Sequence, residues 1–178
     1  MIDTIPMPLP AFDLYAPGAP ATLVLFSARV SGLVLVAPVF SARPVPMAVK
    51  TGLVVLLSIL MVPVAQSHLT RIPDLTPATI VGETLVGFAL GLGAALIVGA
   101  AESAGELLSI QIGLSGSAIV DPLSAQQSTA LGQLVHLFAI SLVLSLNGHL
   151  VMLDALAASA ERMPIGAPLE IAAGLRTF

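Results

Sequence analysis

Residues Thr76–Gly113 read TPATIVGETLVGFALGLGAALIVGAAESAGELLSIQIG. The Thr-Pro opening is a good helix start, because a threonine side chain caps free N–H groups and proline suits the first helical position. Beyond it the only formal charges are Glu83, Glu102 and Glu106. A bilayer needs ~20 apolar residues, and this run is longer. At ~1.5 Å per residue it would exceed ~45 Å, against a hydrocarbon core of ~30 Å. The stretch therefore predicts an over-long apolar helix that projects beyond the core, is steeply tilted, or is broken.

The flanking sequence has the same character. An apolar segment from Ala21 to Phe40 carries Arg29 inside it, and a second runs from Met47 to Val64 after the stiff Arg43-Pro44-Val45-Pro46. A fourth opens at Asp121-Pro122, reaches the Ala160 region and has no formal charge between Asp121 and Asp154. It too is over-long. Residues 1–20 form a proline-rich tail without Lys or Arg, which lacks the basic start of a secretory signal. The fold class that follows is an all-α membrane protein with about four long hydrophobic helices, two short and two over-long.

Composition agrees. Of 178 residues, 57% are apolar and only 9% charged, where a soluble domain has roughly a quarter charged. Mean hydropathy is +1.04. A net charge of −4 without a basic cluster leaves no footprint for nucleic acid. The absence of cysteine excludes disulfides, thiol catalysis and cysteine metal sites. His68, His136 and His149 lack metal-ligand spacing, so neither a metal nor a cofactor is expected. Trp is absent and Tyr15 is the lone tyrosine. The usual interfacial aromatic belt is thus missing, which hints that protein partners cover much of the surface.

Three constellations stand out. Gly87, Gly91, Ala95 and Gly99 recur every fourth residue and form an inclined groove that lets another helix approach closely; that helix belongs either to this chain or to a partner. Arg29, Glu83, Glu102 and Glu106 are ionisable groups in apolar helices, costly unless paired or wet. Arg29 with Glu83 reads as a structural ion pair or as a solvated or subunit-facing site. Glu102 and Glu106, one turn apart, lie where the helix has left the hydrocarbon. Finally, Gly113-Leu114-Ser115-Gly116-Ser117-Ala118-Ile119-Val120-Asp121 joins the two long helices. It is glycine- and serine-rich yet apolar, which suits a re-entrant loop, a pore plug or a tight surface connection. Asp121 reads most simply as a helix cap.

The ordered set of Arg29-Val30-Ser31-Gly32-Leu33, Ala37-Pro38-Val39-Phe40, Val45-Pro46 and Lys50-Thr51-Gly52-Leu53 resembles the flagellar export-gate family FliR and its virulence counterpart SctT. Further along, Glu83-Thr84-Leu85-Val86-Gly87, Glu102-Ser103-Ala104-Gly105-Glu106, Gln111-Ile112-Gly113-Leu114, Val120-Asp121-Pro122 and Asn147-Gly148-His149-Leu150 continue the match. The resemblance spans residues 23–166, within a domain drawn at 21–166. It implies a non-enzymatic subunit of the type III protein export gate in the flagellar basal body, in the bacterial inner membrane. Its implied partners are FliP- and FliQ-type subunits, other export-apparatus membrane proteins, unfolded protein substrates and lipid. It also implies that the loop Gly113 to Asp121 enters and plugs the channel, with Leu114, Ile119 and Val120 blocking the lumen. Family members carry further apolar segments after the Pro164 region, so residues 167–178 read as the start of a truncated C-terminal region.

Two readings compete. A small multi-pass solute transporter would use Arg29 and Glu83 as its coupling pair. A rhomboid-like intramembrane protease would use Ser115 of Gly113-Leu114-Ser115-Gly116 with His136 or His149, although both histidines lie on the very next helix and that family's other motifs are missing.

Overall fold

The computed structural model describes residues 18–41, 45–67, 69, 72–113 and 129–166. Among these residues there are five helices and no strand: α1 (Ala19–Val36), α2 (Met47–Ser67), α3 (Pro77–Gln111), α4 (Ala130–Ser145) and α5 (Gly148–Arg162). Most of the proline-rich tail and residues 167–178 lie outside the described residues. Helices α1, α2 and α3 are long and apolar enough to cross a membrane, and the bent pair α4–α5 is a broken span or a re-entrant element.

The core is built around α1. Half of its span, 50%, is buried, against 17% for α2 and for α3. Its side chains Leu25, Phe26, Val30, Leu33 and Val34 are buried together with Leu57 and Ala65 of α2 and Met152, Leu156 and Ala160 of α5. α3 lies along α1 at backbone distance. A Cβ on Gly87 would collide with the Arg29 carbonyl oxygen, and one on Gly91 would stand 2.9 Å from the Leu33 oxygen. From the other side, Gly32 faces the Thr84 carbonyl and the Phe88 amide. Three glycines thus let two helices touch backbone to backbone, the packing that works in lipid, where no hydrophobic drive joins helices.

α3 starts as its Thr-Pro pair predicts. The Thr76 hydroxyl accepts from the Thr79 amide at 3.2 Å, and Thr79 Oγ1 accepts from the Thr76 amide at 3.0 Å. From there the helix runs 35 residues without a break, about 52 Å at ~1.5 Å per residue. It ends at Gln111, and Gly113, just past the Ile112 cap, has a φ of +77°, the left-handed geometry that glycine supplies beyond a helix C-terminus.

The other over-long segment is broken. Its Asp121-Pro122 opening lies outside the described residues; α4 is capped instead by Thr129, whose hydroxyl accepts from the Gly132 amide at 3.1 Å. The helix stops at Leu146, and α5 departs at 64°. Asn147 makes the corner with φ 57°, a left-handed conformation that asparagine tolerates better than most residues. Gly148 follows because a Cβ there would meet Val143 Cγ1 at 2.6 Å.

Candidate functional site

Arg29 and Glu83 meet at the centre of the packed half. Arg29 Nε donates to Glu83 Oε2 at 2.6 Å, and the two side chains are 1% and 5% exposed. The remaining guanidinium nitrogens donate to Ser159 Oγ and to the Met163 carbonyl, both at 3.0 Å. Glu83 Oε1 accepts from the Gly166 amide at 2.9 Å. Each guanidinium nitrogen and each carboxylate oxygen has a partner. A buried ion pair is tolerable only under that condition, because desolvation costs several kcal/mol per ion. Gly166 can reach Glu83 because its φ is +75° and its missing side chain leaves room for Pro73. The pair therefore ties α1 and α3 to the end of α5 and the turn after it.

A second polar contact lies where α4 packs on the far part of α3. Gly105 lies under Val135, and Gly132 faces the Glu106 side chain; a Cβ on Gly132 would stand 2.7 Å from Glu106 Cγ. Close by, His136 Nδ1 is 2.9 Å from Glu102 Oε2, and both side chains are about a third exposed (33% and 34%). The contact lacks hydrogen-bond alignment, and Nδ1 has no other partner.

The glycine stripe divides in two. Gly87 and Gly91 are filled by α1 of the same chain, whereas Ala95 is half-buried and Gly99 has nothing within 4 Å of where a Cβ would stand. Beyond the α1 contact an apolar cavity of about 480 Å³ opens at the elbow, lined by Leu90, Gly93, Ile97, Leu146 and Met152 among others. Of the loop residues, Gly113 is exposed and opens into free space. Leu114, Ser115, Gly116, Ser117, Ala118, Ile119, Val120 and Asp121 lie outside the described residues. Among the described residues no cluster of three His, Asp or Glu could hold a metal ion.

Sequence reasoning paired Arg29 with Glu83 but missed Ser159, the Met163 carbonyl and Gly166, which complete that site. A serine near a helix end and a glycine two residues after Pro164 carry no long-range signal. Gly105 and Gly132 were missed as a contact for a related reason: the groove pattern was sought on one helix, while this one is shared by two. His136 entered the reading as a possible base of the competing protease, and its facing of Glu102 depends on the register of α4 on α3.

The sequence profile described as bacterial export proteins, family 1, matches residues 21–178. Three curated relatives bear the name flagellar biosynthetic protein FliR. The protein from Pectobacterium carotovorum is 34% identical over 140 residues, covering 78% of this chain and 54% of the relative. Those from Escherichia coli K12 and Bacillus subtilis 168 are 32% and 31% identical, covering 78% and 76% of this chain and 53% and 52% of the relatives. The chain spans about half the length of the curated relatives it matches.

Proposed function

Because the chain belongs to the bacterial export proteins, family 1, we propose that it is a non-enzymatic subunit of the flagellar type III protein export gate. Its place would be the bacterial inner membrane, within the flagellar basal body. FliP- and FliQ-type subunits and other export-apparatus membrane proteins would be its neighbours, and unfolded flagellar subunits would be the cargo. The observation that carries this reading is the match across residues 21–178, continuous with an all-helical chain of three or four apolar spans.

The shape of the chain supports it. α3 is about 52 Å long by the ~1.5 Å rise, too long for an upright span. α4 buries only Gly132 while Leu134, Leu137 and Phe138 are 61–68% exposed. Such a helix suits a subunit whose outer faces are covered by neighbours and lipid. The segment Gly113 to Asp121 would close the channel sterically, with Leu114, Ile119 and Val120 in the lumen and the glycines allowing the backbone to fold and move.

The transporter reading is weaker for a physical reason. A coupling site must exchange its ion or proton, and Arg29–Glu83 is buried with all its hydrogen-bonding groups held by fixed partners.

Co-expression with FliP- and FliQ-type partners, followed by native mass measurement in detergent, tests membership of the gate. A defined assembly containing this chain is expected; a chain that stays alone even when produced at the full length of its relatives would sink the reading. Deleting Leu114–Ile119 should then make the assembled pore conduct small ions in planar bilayers, and unchanged conductance would overturn the plug.

A further inference from the structure

Glu102, Glu106 and Ser109 follow one another on α3 at i, i+4 and i+7, hence on one face of the helix, the face that α4 meets at Gly105 and Gly132. Ser109 is 1% exposed, and its Oγ has no hydrogen-bond partner. The other buried helix hydroxyls among the described residues, Thr22 and Ser58, donate to the carbonyls of Gly18 and Val54 on their own helices or caps. Glu106 is half-buried, and its stem runs over Gly132, where a Cβ would stand 2.7 Å from Cγ. Glycine inside a helix is unfavourable, and here its missing side chain lets Glu106 lie across α4. Among the described residues the Glu106 carboxylate has no hydrogen bond or ion pair. Glu102 meets His136 Nδ1 at 2.9 Å without hydrogen-bond alignment.

Carboxylates in an apolar helix are costly unless paired or wet, and so is a buried hydroxyl without a partner. Their missing complement is a cation that brings several N–H donors. Among the described residues this chain does not supply one: Arg29 is sealed with Glu83, Lys50 donates to the Ser41 carbonyl at 3.0 Å, and Arg162 stands in the last turn of α5. Nor do His136 and the two glutamates form a group that could hold a metal ion. The surface beside them is apolar, with Leu107, Ile110, Leu134 and Leu137 60–62% exposed, which suits a side chain arriving on a packed helix better than a hydrated ion or a lipid headgroup. From this charge balance we infer that Glu102, Glu106 and Ser109 form an acceptor site for a lysine or arginine of a neighbouring subunit. Its N–H groups donate to the carboxylates and to Ser109 Oγ, a charge-assisted contact that fixes the neighbour's register and rejects one bringing negative charge. The site rests on the gate reading for the identity of that neighbour.

The test is recovery of the assembly formed with FliP- and FliQ-type subunits, measured by native mass in detergent. Glu106→Lys should lower that recovery by about tenfold or more, while the isolated chain keeps the unfolding midpoint of the parent. Benzoylphenylalanine in place of Ile110, exposed and one turn from Glu106, should cross-link in the assembly to a partner peptide that contains Lys or Arg. Reversing that basic residue to Glu should then restore recovery of Glu106→Lys. Recovery of Glu106→Lys at the parent's level overturns the site. So do a cross-link confined to lipid or to this chain, a captured peptide without Lys or Arg, and a charge swap that restores nothing. A midpoint that falls along with recovery assigns Glu106 to packing within the chain and overturns the site too. A parent chain that assembles with no partner overturns the gate reading and the site together, whereas failure among the variants of an assembling parent overturns the site alone.

Discussion

Two polar contacts among the described residues join helices under opposite conditions. Arg29–Glu83 is 2.6 Å long, almost wholly buried, and finished by Ser159, Met163 and Gly166. Glu102–His136 is 2.9 Å long, a third exposed and poorly aligned. The helices around them differ in the same way. α1 and α3 touch through backbone at Gly32, Gly87 and Gly91, whereas α4 leaves Phe138 68% exposed. One end of the bundle is closed by its own residues. The other leaves more of its side chains exposed.

The largest test of that contrast is Glu83→Ala. It strands a buried guanidinium, and removing one partner of such a pair costs about 3–5 kcal/mol. Unfolding in mixed detergent should show a loss of that order, while the double replacement Arg29→Met with Glu83→Leu recovers most of it. A loss under about 1 kcal/mol, the range of exposed pairs, would mean that water reaches the site.

Next comes Gly87→Ala. Its Cβ would meet the Arg29 carbonyl, and because backbone cannot rotate away, α1 must shift. Overpacking of this kind costs about 1–3 kcal/mol, and the same titration should report it. Neutrality would show that α1 and α3 slide freely.

Glu102→Gln should cost the isolated chain less than about 1 kcal/mol, as expected of a pair a third exposed and screened by solvent. A loss as large as that of Glu83→Ala would erase the distinction between the two ends. Smallest of all, Gly99→Ala meets nothing within 4 Å and should lie within about 0.5 kcal/mol of the parent. If Gly99→Leu leaves the isolated chain stable but lowers recovery of the assembly, the outer half of the glycine stripe is covered by a partner.

Much of the fold was legible in the sequence. Apolar runs with few charges mark the spans, Thr76-Pro77 marks the start of α3, and an arginine and a glutamate in neighbouring apolar helices have few alternatives to pairing. The stripe at Gly87 and Gly91 announces close helix approach, since glycine offers no side chain to prevent it. The elbow was not located, because Asn147-Gly148 inside an apolar run is compatible with a continuous helix. Asparagine's left-handed preference is small, and Val143 packing against Gly148 decides the corner. Within the candidate site, Arg29 and Glu83 could be named as a pair, but Ser159 and Gly166 could not, for they come from a distant part of the chain.

Sequence alone determined that this is a helical membrane chain, where its apolar spans lie and which charges among them must be paired. Those properties follow from the cost of placing charge and open backbone in hydrocarbon, which is paid locally. Only the tertiary structure decided which helix fills the glycine stripe, that α3 runs unbroken while α4 and α5 part at 64°, and that one polar contact is sealed while the side chains of the other are a third exposed. Those outcomes depend on how closely two backbones approach and on what a third helix covers, and neither quantity is carried by any local run of residues.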